Sequence, residues 1–510
     1  MRHAFRFNIN FTGGIISPGS MLHILHALET AGIQDVRFGL RQQLLIDVSL
    51  KDHDRVATAL KEQDILYEVN KEDFPNILSS YPAEEIFIKD SWVKEGVYKD
   101  IFDQFDYKPK LKINISDGGQ TFTPFFTGHI NWIASKNTHY WYLFIRFPKS
   151  NILFPWKELV YTNEIPRVSK HLEEMIKNHT GKYFKNHVWS SLLVYEDLKR
   201  DLNILSSAVD KPLELPQFKL PYYEGYNNYG NKSWLGLYQR NELFSLSFLK
   251  DICRICLETK IGQFYSTPWK SLIIKNIEEK DRSRWSYVLN NHRINVRHAS
   301  NELNWQVEDT NEEGLTIKQA IIRQFDKEDV RTFGLCIAVN IQPHSGLFGS
   351  VILKKQYVEI RGKLKPLEKF DIFHTEDFNP NSKTYTLYRT GVQKGYLPQY
   401  LVSLCKSYYE KTCAGQATED TENKPQQERV IETEEFILYQ CTRCHTIYDE
   451  EIGEPENNIL PGTPFSVLPP TYCCPLCESE KAYYYPVASS KLNAGLPNQS
   501  KKWSSVHDGL

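Results

Sequence analysis

Four cysteines near the carboxyl end constrain this chain more than any other feature. Cys441 and Cys444 form one C-x-x-C knuckle, and Cys474 and Cys477 form a second, with Pro475 inside it. Two such knuckles place four thiolates at the corners of a tetrahedron, a donor set that suits iron or zinc. Ten cysteines are present, none in residues 1–252 and five within 441–477. The amino-terminal stretch MRHAFRFNINFTGG has no continuous apolar run and no small-residue cleavage site, so it does not read as a signal peptide. A cytoplasmic location is therefore expected. Thiols stay reduced there, and clustered cysteines point to metal before disulfides.

The residues around the knuckles form a pattern of their own. Twenty-nine residues separate Cys444 from Cys474. Tyr439 precedes the first knuckle and Tyr448-Asp449 follow it. Then come Pro461-Gly462-Thr463-Pro464-Phe465, Leu468-Pro469, Tyr472, Pro475-Leu476 and Lys481. This module, 434–487, resembles rubredoxin. The resemblance implies one iron held by Cys441, Cys444, Cys474 and Cys477, one-electron transfer, and a redox partner protein. Two positions depart from the family, which places glycine after the second cysteine of each knuckle; here His445 and Glu478 stand there. Glycine tolerates the left-handed backbone that lets amide N–H groups approach sulfur. The departures imply a shifted potential and leave zinc open as the alternative metal. Cys473, beside Cys474, is expected as a small apolar filler.

The whole chain has 510 residues, enough for several domains. Residues 414–434 are polar with almost no aliphatic side chains, so 411–433 is expected as a flexible linker and 488–510 as a disordered tail. A third connecting stretch, 206–232, carries Pro212, Pro216, Pro221 and the run YYEGYNNYGNKS. A weak repeat appears at an offset of 228 residues: IISPGSMLHILHAL at 15–28 faces LFSLSFLKDICRIC at 243–256, and LLI at 44–46 faces LII at 272–274. Each copy reads as a helix followed by a strand. The halves are 1–205 and 233–410. Net charge is −2, yet residues 431–486 carry ten acids and two bases, so that segment is −8 and the remainder +6. An acidic module on a mildly basic body suits electrostatic docking, and equally a solvated acidic surface. Basic residues form no stripe, so no nucleic-acid partner is expected. No run of 18 apolar residues exists, so no membrane partner is expected either. Phosphate-binding glycine loops, GxSxG and HExxH are absent.

The body resembles, distantly, the sulfite and nitrite reductase family. The fold expected is α+β: duplicated ferredoxin-like half domains of that type, with the small rubredoxin-like domain at the carboxyl end. In VRFGLRQQLLI, 36–46, Arg37, Arg41 and Gln42 match the family's anion-site strand, with Gly39 in its threonine position. In PKLKINI, 109–115, Lys110 and Lys112 match its Lys-x-Lys segment, and STPWKSLII at 266–274 is a frequent family strand. The resemblance implies that Arg37, Arg41, Lys110 and Lys112 hold siroheme carboxylates and a small oxyanion; solvated surface bases are the plain alternative. Family enzymes also bind a four-iron cluster through two cysteine pairs. The first should fall in ASNELNWQ, 299–306. In IQPHSG, 341–346, Gln342 and Gly346 occupy the second pair's positions. An amide or a hydrogen cannot replace a thiolate. Pro75 stands where an arginine is expected. Six-electron reduction on this body is therefore not expected. Cys253, Cys256 and Cys336 read as core. Cys405 and Cys413 suggest no mechanism, and His344 reads as a solvated turn residue rather than an axial haem ligand. The function expected is rubredoxin-type electron transfer, with a degenerate body that docks a redox partner or binds an anion or tetrapyrrole. Two alternatives stand beside it: a siroheme-dependent reductase fed by its own rubredoxin, and a zinc-bound interaction protein.

Overall fold

The computed structural model describes the chain except residues 1–3, 149, 151, 186–187, 297–299, 343–345, 347, 357–367, 376, 420–436, 444–445, 451–452, 455–458, 461, 476–478 and 489–510. It forms two compact units. One comprises Met1–Asp326 with Arg331–Val392, the other Lys327–Val330 with Gln393–Leu510.

The larger unit is built twice over. One five-stranded sheet runs in the order Phe244–Ser245, Asp35–Phe38, Leu44–Ser49, Ala4–Ile9, Glu68–Val69. The other runs Gly225–Tyr229, Lys232–Leu237, Leu272–Ile277, Phe264–Ser266, Ile15–Ile16. Each half thus lends an edge strand to the sheet of the other. Helices Pro18–Thr30 and Leu246–Glu258 follow the lent strands. Both start at a serine whose side chain caps the first turn: Ser17 accepts from Ser20 N at 3.5 Å and Ser245 from Phe248 N at 3.3 Å. The two helices share one core, in which Leu25, Leu28, Cys253 and Cys256 are fully buried. Burial pushes the Cys253 thiol up to about 12 and the Cys256 thiol upward too, so both behave as small hydrophobes.

Each half continues into a second sheet of one topology. In the first half, Leu78–Ser79, Ile113–Ser116 and Ile130–Ala134 run parallel, and Tyr140–Arg146 then joins antiparallel. In the second, Trp305–Val307, Ile337–Asn340 and Val351–Lys355 run parallel and Lys369–Thr375 antiparallel. Along Tyr140–Arg146 full burial alternates residue by residue, the period-two signature of a strand with one face in the core. Cys336 is fully buried, as expected, and its Sγ donates to Phe348 O at 3.3 Å.

The stretch 206–232 is more packed than its composition suggests. Its ends form strands Ser206–Ala208 and Gly225–Tyr229, and Phe218, Leu220 and Tyr223 between them are buried. Aromatic and aliphatic side chains on an extended segment reach the core without needing regular structure: Tyr223 lies 5.6 Å from Phe122, and its hydroxyl donates to Leu303 O. Helix Leu397–Glu419 runs into the stretch read as the 411–433 linker. Cys405 is buried on it and its thiol is pushed up to about 12. His344 and the side chain of Cys413 lie outside the described residues.

Candidate metal centre

In the smaller unit, Ile437–Cys441 is the central strand of a three-stranded sheet, with Ile447–Tyr448 on one side and Tyr484–Ala488 on the other. Its register sets Cys441 opposite Tyr484 and Tyr439 opposite Tyr448. The strand therefore delivers Cys441 into the interior at its end. The second knuckle begins at Cys474. Two backbone bonds close the knuckles in the same way: Cys441 N donates to Thr446 O at 2.8 Å, and Cys474 N to Ser479 O at 2.7 Å. Each bond joins the first cysteine of its knuckle to the carbonyl five residues on.

Cys441 and Cys474 share a core with Tyr448, Phe465, Leu468, Tyr472 and Tyr484. Phe465 is its hub, stacked on Tyr439 at 4.2 Å and set 5.3 Å from Tyr484. Lys481 braces the loop that carries Phe465, donating to Leu468 O at 2.5 Å and Ser466 O at 3.2 Å. Gly462 has φ 80°, which explains glycine in that turn. The Tyr484 hydroxyl is buried without a geometrically formed hydrogen bond and lies beside Cys474. Burial first, then Cys474 and Tyr472, make it a far weaker acid than a free phenol, so it stays protonated. Two buried thiols packed among aromatic rings fit a sulfur-bound metal. Cys444, Cys477, His445 and Glu478 lie outside the described residues. Cys473 corrects the sequence expectation. It is exposed rather than a core filler, because neighbours along an extended backbone face opposite ways and Cys474 takes the inward position.

The four bases read as an anion site are held otherwise. Arg41 is buried and its guanidinium is caged by acceptors. Nε and Nη2 donate to Asn76 O at 3.1 and 2.7 Å, Nη2 also to Ile113 O at 2.9 Å, and Nη1 to Asn114 Oδ1 at 3.1 Å. Burial lowers it to about 10. Arg37 donates to Asp47 Oδ2 at 3.2 Å and to Asn241 O at 2.8 Å. The Lys112 ammonium sits 2.7 Å from Glu72 Oε2. Lys110 is exposed, and its backbone N–H donates to Glu173 Oε2. Where the first cluster cysteines would fall, Asn304 is buried and its amide donates to Thr332 O at 2.9 Å and Leu335 O at 3.0 Å. A Cβ on Gly346 would stand 2.9 Å from Arg146 Nη1, so a guanidinium crowds the position of a cluster thiolate. Three of these bases are spent on the protein's own acceptors and the thiolates are replaced by amides and glycine. The residues present do not fit a siroheme coupled to a cluster.

Residues 438–484 match the Rubredoxin family. The segment is 47% identical over 49 residues to the Probable rubredoxin of Methanothermobacter thermautotrophicus, covering 10% of this chain and 78% of that protein. It is 40% identical over 53 residues to Rubredoxin 4 of Rhodococcus sp., covering 10% of this chain and 88% of that protein. The chain belongs to the rubredoxin family. It does so through this domain alone, and a rubredoxin domain implies iron bound by cysteines. The High molecular weight rubredoxin of Moorella thermoacetica is 51% identical over 43 residues, and the chain spans 19% of its length. The remainder has a different likeness. The fold superposes on the Mycobacterium tuberculosis NirA protein over 78% of this chain and 80% of that one, with TM-score 0.58 and 13% identity. The duplicated α+β architecture expected of the body is thereby shown.

Sequence reasoning did not find Arg146, His129 or Lys383. His129 Nδ1 accepts from Lys112 N at 3.0 Å. Burial, reinforced by Arg146, Lys112, Arg41 and Lys177, lowers it to about 3. The available signal was Arg146 itself, a base ending an otherwise aromatic and aliphatic strand, YWYLFIR.

Proposed function

We propose that this chain is a one-electron carrier whose rubredoxin domain is its working centre. The observation that carries the reading is the convergence of Cys441 and Cys474, through matching closed turns, into one buried aromatic core. Cys441, Cys444, Cys474 and Cys477 would hold one iron, which supplies a ferric/ferrous couple when bound. The thiolates hold a geometry that changes little on reduction, and the rings around them exclude water. The NirA-like body then serves as scaffold, docking a redox partner or holding an anion. Carriage on one chain keeps the domain at high local concentration near whatever the body holds. Nitrogen or sulfur oxyanion metabolism is the setting the fold suggests, by analogy alone.

Zinc filling defines the competing reading of a non-redox interaction module. Visible absorption with metal analysis on freshly purified full chain separates the two. One iron per chain, with ferric–thiolate bands that bleach on reduction, supports the carrier. Colourless protein holding zinc ends it. A haem-like band in protein made alongside siroheme synthesis would instead support the reductase reading, against which the caging of Arg41 counts.

A further inference from the structure

The smaller unit carries one base that its core does not use. Residues 431–486 hold two bases, Arg443 and Lys481, against ten acids. The Lys481 ammonium is committed: it donates to Ser466 O and Leu468 O and lies 5.2 Å from the Phe465 ring centre. Arg443 is exposed, and its guanidinium stands over the Tyr483 ring, 4.4 Å from the ring centre. The negative face of an aromatic ring attracts a cation placed there. Among the described residues Arg443 forms no ion pair, so its charge is not cancelled at close range.

The backbone fixes where this stack stands. Arg443 lies inside the first knuckle, between Cys441 and Cys444 and directly before Cys444 in the chain. Thr442 N donates to Tyr483 O at 2.8 Å, which ties the knuckle to the short helix Lys481–Tyr483. The next residue, Tyr484, pairs with Cys441 in the sheet and lies beside Cys474. Tyr484 belongs to the core, whereas Tyr483 is 39% exposed. The stack therefore sits on the solvent side of a segment whose inner side meets both described cysteines.

We propose that Arg443, held on the Tyr483 ring, raises the reduction potential of the metal bound by the two knuckles. The proposal rests on the carrier reading. Four thiolates leave the site one net negative charge with a ferric ion and two with a ferrous ion. Reduction takes one electron from the redox partner, makes and breaks no bond, and deepens that negative charge. A cation held nearby stabilises the more negative state and eases reduction. The acids of the same segment act in the opposite sense. The ring matters because a free arginine side chain carries its charge out into water, while a stacked one keeps it at the knuckle.

Spectroelectrochemistry of the full chain, with iron analysis, tests this. Arg443→Gln is expected to keep one iron per chain. At a poise that half-reduces the native chain, its ferrous-to-ferric ratio should fall about threefold or more, the scale of one unit charge acting through a water-like medium. Arg443→Lys, which keeps the charge, should lie nearer the native chain. Tyr483→Leu keeps the charge but releases it, and should shift in the same direction by less. The difference between the native chain and Arg443→Gln should shrink as salt rises from about 0.01 M to about 1 M and the screening length contracts. An iron-loaded Arg443→Gln with an unmoved or higher potential overturns the proposal. A difference that salt leaves untouched overturns it too, since that reports a rearranged knuckle rather than a charge. Should Arg443→Gln take up no iron, Tyr483→Leu decides: a negative shift supports the proposal and an unmoved potential ends it. A native chain without iron ends the carrier reading and this proposal together, whereas iron-loaded chains of equal potential end this proposal alone.

Discussion

At the residue scale, the Tyr484 hydroxyl lies beside Cys474, whose sulfur would hold the metal. It is buried, lies beside Cys474, and is too weak an acid there to ionise. A phenol donating to a thiolate withdraws electron density from it and favours the reduced metal. Tyr484→Phe is expected to keep one iron per chain and to move the reduction potential negative; spectroelectrochemistry reads the shift, and an unchanged potential would show that the hydroxyl is silent. The neighbouring cysteines give a second contrast. Cys474 is buried and Cys473 exposed, so Cys474→Ser should abolish the ferric colour while Cys473→Ser leaves it intact. Spacing alone identified the two knuckles, because ligand geometry is local. Spacing also named Cys474 as the ligand of the adjacent pair; what it missed is that Cys473, expected as a buried filler, faces solvent, because the direction of its side chain is set by the backbone that sends Cys474 to the aromatic core.

At the scale of elements, the repeat is preserved in position more strictly than in residue type. Helices Pro18–Thr30 and Leu246–Glu258, strands Leu44–Ser49 and Leu272–Ile277, and strands Ala4–Ile9 and Lys232–Leu237 all keep the 228-residue offset. Gln42 and Lys270, one repeat apart, both take left-handed backbone, at φ 63° and 54°. The serine caps recur because each helix must satisfy its first N–H groups where it leaves a lent strand. Ser245→Ala should cost about 1 kcal/mol of body stability. Leu28→Ala, in the core shared by both helices, should cost about 2–5 kcal/mol. Denaturant midpoints followed by far-ultraviolet circular dichroism compare the two, and the leucine variant must be the less stable. The offset was legible because equivalent apolar positions survive, with Leu25 and Leu28 facing Cys253 and Cys256. The lending of edge strands was not, since Ile15–Ile16 and Phe244–Ser245 read only as apolar lead-ins to helices.

Across the whole molecule, the two units should respond to different reagents. A domain of some fifty residues has a small core and leans on its metal. Removing the metal is expected to unfold residues 438–484 while most helical dichroism, which belongs to other segments, persists. A single joint transition would contradict this. The body carries its own pH signature. Below about 7 Lys383 is protonated in both folded and unfolded chains. Between about 7 and its ordinary 10.5 only the unfolded chain keeps the proton, so stability climbs with pH across that window. His129, lowered from 6.5 to about 3 among Arg146, Lys112, Arg41 and Lys177, acts at the acid side. The unfolded chain takes a proton that the folded one refuses, and stability drops as pH falls through that range. Chemical denaturation over a pH series, in buffer free of oxyanions, should show both slopes, and Lys383→Met should erase the alkaline one.

Ligand spacing, turn glycine and the aromatic pattern of 438–484 were readable from the order of residues, because a metal knuckle is specified within a few positions. The duplicated body was readable from its offset, because hydrophobic periodicity survives divergence. What those patterns could not convey was how charges are spent. Arg41 and Lys112 look like free bases in a strand, and folding hands them to Asn76, Ile113, Asn114 and Glu72. Arg146 and Lys383, distant in the chain, come to lie beside Gly346 and over the Phe348 ring respectively. Long-range neighbours set the field a charge feels, and they exist only once the sheets have closed.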